Sequence, residues 1–259
     1  MTKNGIDVSE WQGDIDWNKV DADFVIIRAG YGREMSQKDK KFERNYSGAK
    51  SAGIPCGAYW YSYAMSEEEA RKEAAVCIEI LKGKQFEYPV YFDVEEQKVF
   101  ALGREKVSVI INAFLLELEK AGYYAGLYMS SHFLTNYTTD YIRKRFTIWV
   151  AHYGVSKPDY SGDYGMWQSG KGKVSGISGD TDVDKCYKDF PKLIREAGDN
   201  GFTKPSTSKH SYSPDNKADV TALQKALNAH GYDCGTADGI IGVKTTAAMF
   251  SALADLWLK

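Results

Sequence analysis

Through the first three-quarters of the chain the apolar positions fall into short dense runs, separated by longer amphipathic or polar stretches. Ile6–Val8, Phe24–Ala29 (FVIIRA) and Pro55–Tyr61 (PCGAYWY) have the β-branched and aromatic content of buried strands. Ser66 followed by Glu69 reads as a capping box opening a helix to about Lys82. Val107–Ala121 carries apolar residues at helical spacing and stops before Gly122. Tyr88–Gln97 (YPVYFDVEEQ), Tyr124–Met129 (YAGLYM), Thr147–Ala151 (TIWVA), Tyr164–Gln168 (YGMWQ) and Thr181–Val183 (TDV) bring the strand candidates to eight. Helices separate the early strands, whereas the last three are joined by loops too short for a full helix. This alternation predicts an α/β fold, an irregular TIM-like parallel β/α barrel of eight strands with fewer helices.

The pattern changes near Asp199. DNGFTKPSTSKHSYSPDNK is polar, bears Pro, Ser and Thr, and has no apolar period, so 199–217 is expected to be a linker after a 1–198 barrel. In 218–259 an apolar helical face returns with Val220, Leu223 and Leu227. A glycine-rich turn follows, then a second helix with Met249, Phe250 and Leu253, which predicts a small C-terminal α-helical domain.

The run at Tyr88 is the one that ends in chemistry. A core strand does not normally finish in three acids, yet this one finishes in Asp93, Glu95 and Glu96. Side chains alternate along a strand, so Asp93 and Glu95 share a face with Cα atoms roughly 6.6 Å apart. Two carboxyls in one patch of limited solvent disfavour each other's ionisation, which suits glycoside hydrolysis, where one must hold a proton. The same D-x-E also fits a strand merely capped by acids at a solvated loop, and the rest of the barrel decides between them.

In such a barrel the site is built at the C-terminal ends of the strands. Standing there are Asp7, Arg28, Tyr59, Tyr61, Asp93, Glu95, Tyr128, Trp149, His152, Gln168 and Asp182. Aromatic faces stack on the apolar faces of sugar rings, while carboxylates and amides bond hydroxyl and acetamido groups. A carbohydrate is the implied ligand.

Composition narrows the alternatives. The 259 residues have a formal charge of −2 and no basic run with interleaved aromatics, which argues against nucleic acid. No window approaches a membrane span and the start, MTKNGIDVSEW, lacks the apolar stretch of a signal peptide. The expectation is synthesis in the cytoplasm with no membrane insertion. Cys56, Cys77, Cys186 and Cys234 form no C-x-x-C pair, and the four histidines show no ligand spacing, so no metal or other cofactor is expected. The glycines of GKGKVSGISGD lie between two strand candidates and read as a flexible loop, not a phosphate cradle.

The segments GIDVSEWQGDIDW, FVIIRAGYG, AGIPCGAYWYSYA, YPVYFDVEE, YAGLYMS, WVAHY, MWQSG and TDVDK, in this order from about Asn4 to Phe190, resemble the signature segments of glycoside hydrolase family 25. These are muramidase lysozymes, found in phage endolysins and bacterial wall hydrolases. The resemblance implies an irregular eight-stranded barrel that acts on bacterial peptidoglycan at the β-1,4 bond between N-acetylmuramic acid and N-acetylglucosamine. It makes Glu95 the general acid, with Asp93, Asp7 and Asp182 as acidic partners. Asp184 stands where the family often has Asn, and of the two Asp182 is expected in the cleft. The positive anomeric carbon is stabilised either by the substrate's acetamido group, oriented by Asp93, or by attack of water activated by Asp182 or Asp7. The tail resembles a small helical peptidoglycan-binding domain, through Leu223-Gln224, Gly231-Tyr232 and Asp238–Gly242. A chitin-type N-acetylglucosaminidase and a non-catalytic wall-binding protein are the competing readings.

Overall fold

The computed structural model of the chain describes residues 2–205 and 212–257, with no side-chain description for Trp257. It forms two compact units, Met1–Pro205 and Ser206–Lys259.

The first unit is a closed barrel of eight strands in sequence order. They are β1 (Lys3–Val8), β2 (Phe24–Tyr31), β3 (Cys56–Tyr61), β4 (Val90–Asp93), β5 (Ala125–Ser130), β6 (Thr147–Ala151), β7 (Met166–Lys173) and β8 (Asp180–Cys186). Neighbours from β1 to β7 pair parallel, but β8 runs antiparallel to both β7 and β1. The all-parallel expectation is therefore corrected at one strand. Its physical cause is the connection: parallel strands need a crossover of a dozen or more residues, and only 174–179 separate β7 from β8.

Helices α1 (Phe42–Ser51), α2 (Glu67–Leu81), α3 (Gln97–Phe100), α4 (Arg104–Lys120), α5 (Ser131–Tyr137), α6 (Asp140–Arg145) and α7 (Phe190–Ala197) complete the unit. Ser66 caps α2 by accepting from Glu69 N at 3.2 Å. The predicted box is only half formed, because the Glu69 carboxylate takes Met65 N at 2.8 Å instead of the Ser66 amide.

Strand alternation divides the core in two. Val25, Ile27, Trp60, Val90, Phe92, Leu127, Ile148, Val150 and Trp167 point out to the helices, where Phe92 stacks on Phe114 of α4 at 3.9 Å. Phe24, Ile26, Tyr91, Tyr128, Trp149, Met166 and Cys186 fill the barrel interior. Such large rings need small partners facing them. A Cβ at Gly5 would come within 2.5 Å of the Phe24 ring, and one at Gly126 within 2.6 Å of Tyr91.

The barrel unit does not end at residue 198. Asn200 is wholly buried, donates to Phe86 O (3.0 Å) and Tyr88 O (2.8 Å), and accepts from Tyr124 N (2.8 Å). Phe202 packs on the interior cluster. The start of the expected linker is therefore part of the barrel, its polar Asn spent on backbone groups at strand entrances. Residues 206–211 of that linker lie outside the described residues.

The second unit has α8 (Lys217–Ala229) and α9 (Val243–Trp257). Gln224 is buried and donates to Asp238 Oδ1, Ile240 O and Thr245 Oγ1 at 3.0–3.1 Å, while its Oε1 accepts from Gly239 N at 2.8 Å. One amide thus clamps the Asp238–Gly242 loop to α8. Leu227, Cys234 and Ala248 form the small core, with Leu223, Tyr232 and Met249 against it. Phe250 and Leu253, expected on the packed face of α9, are exposed instead at 68% and 49%.

Candidate active site

The ladder explains how β4 delivers two acids to one place. Asp93 pairs with Tyr61 and Tyr128, and pairing continues one residue further through Val94 N to Tyr128 O at 3.3 Å. The pleat is therefore kept: Val94 turns into the helix layer, and Asp93 and Glu95 both line the cavity inside the barrel mouth. Asp93 is 4% exposed, whereas Glu95 keeps contact with solvent.

The cavity measures about 280 Å³ and is bounded by Asp7, Arg28, Tyr59, Tyr61, Asp93, Glu95, Tyr128, Trp149, Tyr153, Gln168, Lys171 and Asp182. Ten of the eleven residues placed at strand ends by sequence are there. The exception is His152, whose Nδ1 faces Ser131 Oγ at 3.3 Å and Asp159 Oδ1 at 3.0 Å, outside the cavity. Tyr153 and Lys171 are the additions. Lys171 was beyond reach because β7 continues to Lys173, past the glycines read as a loop. Tyr153 lies just past the end of β6, where no alternation rule fixes direction.

Antiparallel β8 places Asp182 opposite Asp7 in the β1 ladder, and Asp184 opposite Gly5 and Gln168. Asp182 lines the cavity; Asp184 sits one layer deeper, 2% exposed, accepting from Trp149 Nε1 at 2.8 Å. Beside it, Gln168 Oε1 accepts from the Tyr128 hydroxyl at 2.6 Å and from the Tyr153 hydroxyl, while Gln168 Nε2 donates to Asp7 Oδ2 at 2.7 Å. Two phenols fix the amide's orientation and leave its N–H₂ for Asp7.

Arg28 and Lys171 are the cations lining the cavity, and Arg28 is held firmly. Its Nε bonds Asp39 Oδ2 at 2.7 Å and its Nη2 bonds Glu10 Oε1 at 2.9 Å. Tyr61 donates to Glu96 at 2.9 Å, which holds the third acid of the run away from Glu95.

This crowding pushes every cavity carboxyl towards its protonated form. Burial raises Glu95, helped by the negative charge of Asp182, while the Tyr128 hydroxyl works the other way. Burial and the charges of Glu95 and Asp7 raise Asp93 well above the carboxylate range, against Arg28. Burial and Asp182 push Asp7 up to about 7. Burial raises Asp182, and burial with Asp7 raises Asp184 well above its usual value. A site with several carboxyls and too little solvent for all their charges can hold a transferable proton near neutral pH.

A larger hollow of about 650 Å³ lies at the other end of the barrel, lined by Tyr124, Arg143, Arg145, Tyr160 and Lys188 among others. Three of its four cations are already engaged, Arg143 with Asp140, Arg145 with Glu119 and Lys188 with Asp163. Nothing there matches the concentration of perturbed acids at the mouth.

Residues 6–177 match the sequence profile described as Glycosyl hydrolases family 25. The chain belongs to that family. It is a glycoside hydrolase of lysozyme kinship, with its acids on an eight-stranded barrel. Residues 216–249 match the putative peptidoglycan binding domain. The autolytic lysozyme of Clostridium acetobutylicum is 30% identical over 254 residues, covering 95% of this chain and 71% of that protein. The bacterial lysozyme from Streptomyces coelicolor superposes with a TM-score of 0.66 at 28% identity, over 75% of this chain and 96% of that one. The modular autolysin LytC from Streptococcus pneumoniae, solved with a synthetic peptidoglycan ligand, gives 0.62 at 32% identity over 72% of this chain. This chain spans only 47% of LytC. Among the described residues no helix is long and apolar enough to cross a membrane.

Proposed function

We propose that this family 25 enzyme is a peptidoglycan muramidase, cleaving the β-1,4 bond between N-acetylmuramic acid and N-acetylglucosamine with Glu95 as general acid. The observation that carries the assignment is the Asp93–Glu95 pair on one face of β4, one acid sealed in and the other at the solvent edge of the cavity. Burial and the negative charge of Asp182 raise the Glu95 carboxyl above its usual range. Its position at the mouth lets it deliver a proton to the leaving oxygen.

Positive charge then develops at the anomeric carbon, in a cavity lined by Asp93, Asp7 and Asp182. Asp93 Oδ1 is buried with no hydrogen-bond partner in the protein, so it has capacity to take the substrate's acetamido group. Asp7, fixed by Gln168, and Asp182 face it across the β1–β8 ladder and supply negative potential. Tyr59, Tyr128 and Trp149 give the sugar an aromatic wall.

The terminal unit serves as a wall-binding module, joined through the stretch between Pro205 and α8. It raises the effective concentration of the barrel at an insoluble polymer. Digestion of purified peptidoglycan, with mass spectrometry of the reduced fragments, tests the reaction directly. N-acetylmuramic acid at the new reducing ends is the expected result. N-acetylglucosamine there, or release from chitin alone, would overturn the assignment in favour of a glucosaminidase.

A further inference from the structure

We infer that a second, aromatic cleft beside the catalytic cavity is a distal glycan subsite, stacking a pyranose ring of the same strand beyond the sugars at the scissile bond. The inference rests on the muramidase reading above. The cleft occupies about 350 Å³ and is lined by Glu10, Trp11, Arg28, Tyr31, Tyr61 and Tyr63. Arg28 and Tyr61 also line the catalytic cavity, so the two spaces share a wall.

Trp11 is 79% exposed and Tyr63 48%, so neither owes its position to core packing. Both stand on fixed backbone. The Ser9–Gln12 capping pair holds the turn that carries Trp11, and Glu10 N is tied to Asp39 Oδ2 at 2.9 Å. Tyr63 N donates to the buried Glu73 carboxylate at 2.9 Å. The rings are contiguous, Tyr63 lying 5.2 Å from Tyr61 and 6.0 Å from Tyr31. Below them the Arg28–Glu10 ion pair offers donors and acceptors with little net charge. Rigid exposed aromatics above a charge-balanced polar floor suit a sugar ring, with an apolar face to stack and hydroxyls to bond. Continuity with the cavity makes the occupant the polymer being cut.

The test uses the full chain and peptidoglycan oligosaccharides of two lengths, the shortest that is cleaved and one twice as long. The ratio of kcat/KM for long over short should fall about tenfold in Trp11→Ala and in Tyr63→Ala, and Trp11→Phe should recover most of it. An unchanged ratio, or an equal loss on both lengths, overturns the subsite while leaving the muramidase standing. Calorimetry on a Glu95→Gln background reads the cleft without turnover. Tighter binding of the long fragment, abolished by Trp11→Ala, supports the subsite even if the wild type cleaves neither fragment and the muramidase reading fails. Equal affinity for both lengths overturns it.

Discussion

Gln168 Nε2 and Asp7 Oδ2 stand 2.7 Å apart, joining the seventh strand to the first across the barrel interior. The same amide accepts from Tyr128 and Tyr153, so it is the fixed centre of a relay whose other end is an acid pushed up to about 7. Gln168→Glu places an acceptor where Asp7 needs a donor. Buried unpaired polar groups cost about 1–3 kcal/mol each, so kcat/KM should drop by roughly one to two orders of magnitude with the far-UV spectrum unchanged. Unaltered kinetics would remove Gln168 from the catalytic machinery.

Glu95→Gln retains the shape of the side chain and loses the transferable proton. Wall lysis should fall by about two to four orders of magnitude while the melting temperature stays at or above that of the wild type. A folded Glu95→Gln protein that still turns over normally would end the general-acid assignment.

Stability should depend on pH with a definite sign. Asp7 titrates near 3.8 when unfolded and at about 7 in the barrel, so between those values the folded state binds more protons. Stability therefore falls as pH rises through that window and levels off above it. Asp184→Asn keeps an oxygen for Trp149 Nε1 and removes one competing carboxyl. It should raise the melting temperature at pH 8 and flatten the slope, measured by differential scanning calorimetry. An unchanged profile would mean that Asp184 does not share charge with Asp7.

Activity is expected to have its own alkaline limb, because the proposed general acid, Glu95, acts in its protonated form. The rate should decline as pH rises through its raised pKa, and Asp182→Asn, which removes a neighbouring negative charge, should move that limb to lower pH. A pH–rate profile of kcat/KM reads the shift. A limb that stays put would separate Asp182 from Glu95 electrostatically.

Two truncations separate the barrel from its tail. A chain ending at Pro205 keeps the Asn200 clamp and should melt like the barrel of the full protein, cleave soluble fragments at a similar rate, and pellet less with walls. A chain ending at Gly198 removes the Asn200 partner of five backbone groups, Phe86 N and O, Tyr88 O, Gly122 O and Tyr124 N, a loss of roughly 3 kcal/mol or more, or about 6–12 °C in melting temperature. Equal wall pelleting by full-length protein and the 1–205 chain would refute wall binding by the tail.

Strands β1 to β6 were legible because a buried strand writes itself as a run of β-branched and aromatic residues. The residues at their ends were legible by the same token, and ten of eleven reach the cavity. What escaped had no such signal. Helix α1 is written FERNYSGAKS, buries Asn45 as well as Phe42 and Ala49, and shows no clean apolar period. Strands β7 and β8 extend through glycine, lysine and aspartate because the last residues of β7 and the first of β8 form a two-stranded ribbon at the rim, where a pattern for burial on both faces does not apply. Asn200 looked like linker because a polar residue that caps backbone groups from inside is indistinguishable, in composition, from one in water; its φ of 54° is a conformation Asn tolerates.

The β1–β8 ladder has a consequence for the order in which the molecule comes into being. Asp7 lies on the first strand of the barrel, and Asp182, its partner in register, lies on the last. Local β-α pairs can form during synthesis, but the pair that closes the circle spans nearly the whole unit and pays its loop entropy at the end. Asp7 and Asp182 are thus brought face to face only by the final strand, so a chain that ends before it lacks this pair of cavity acids.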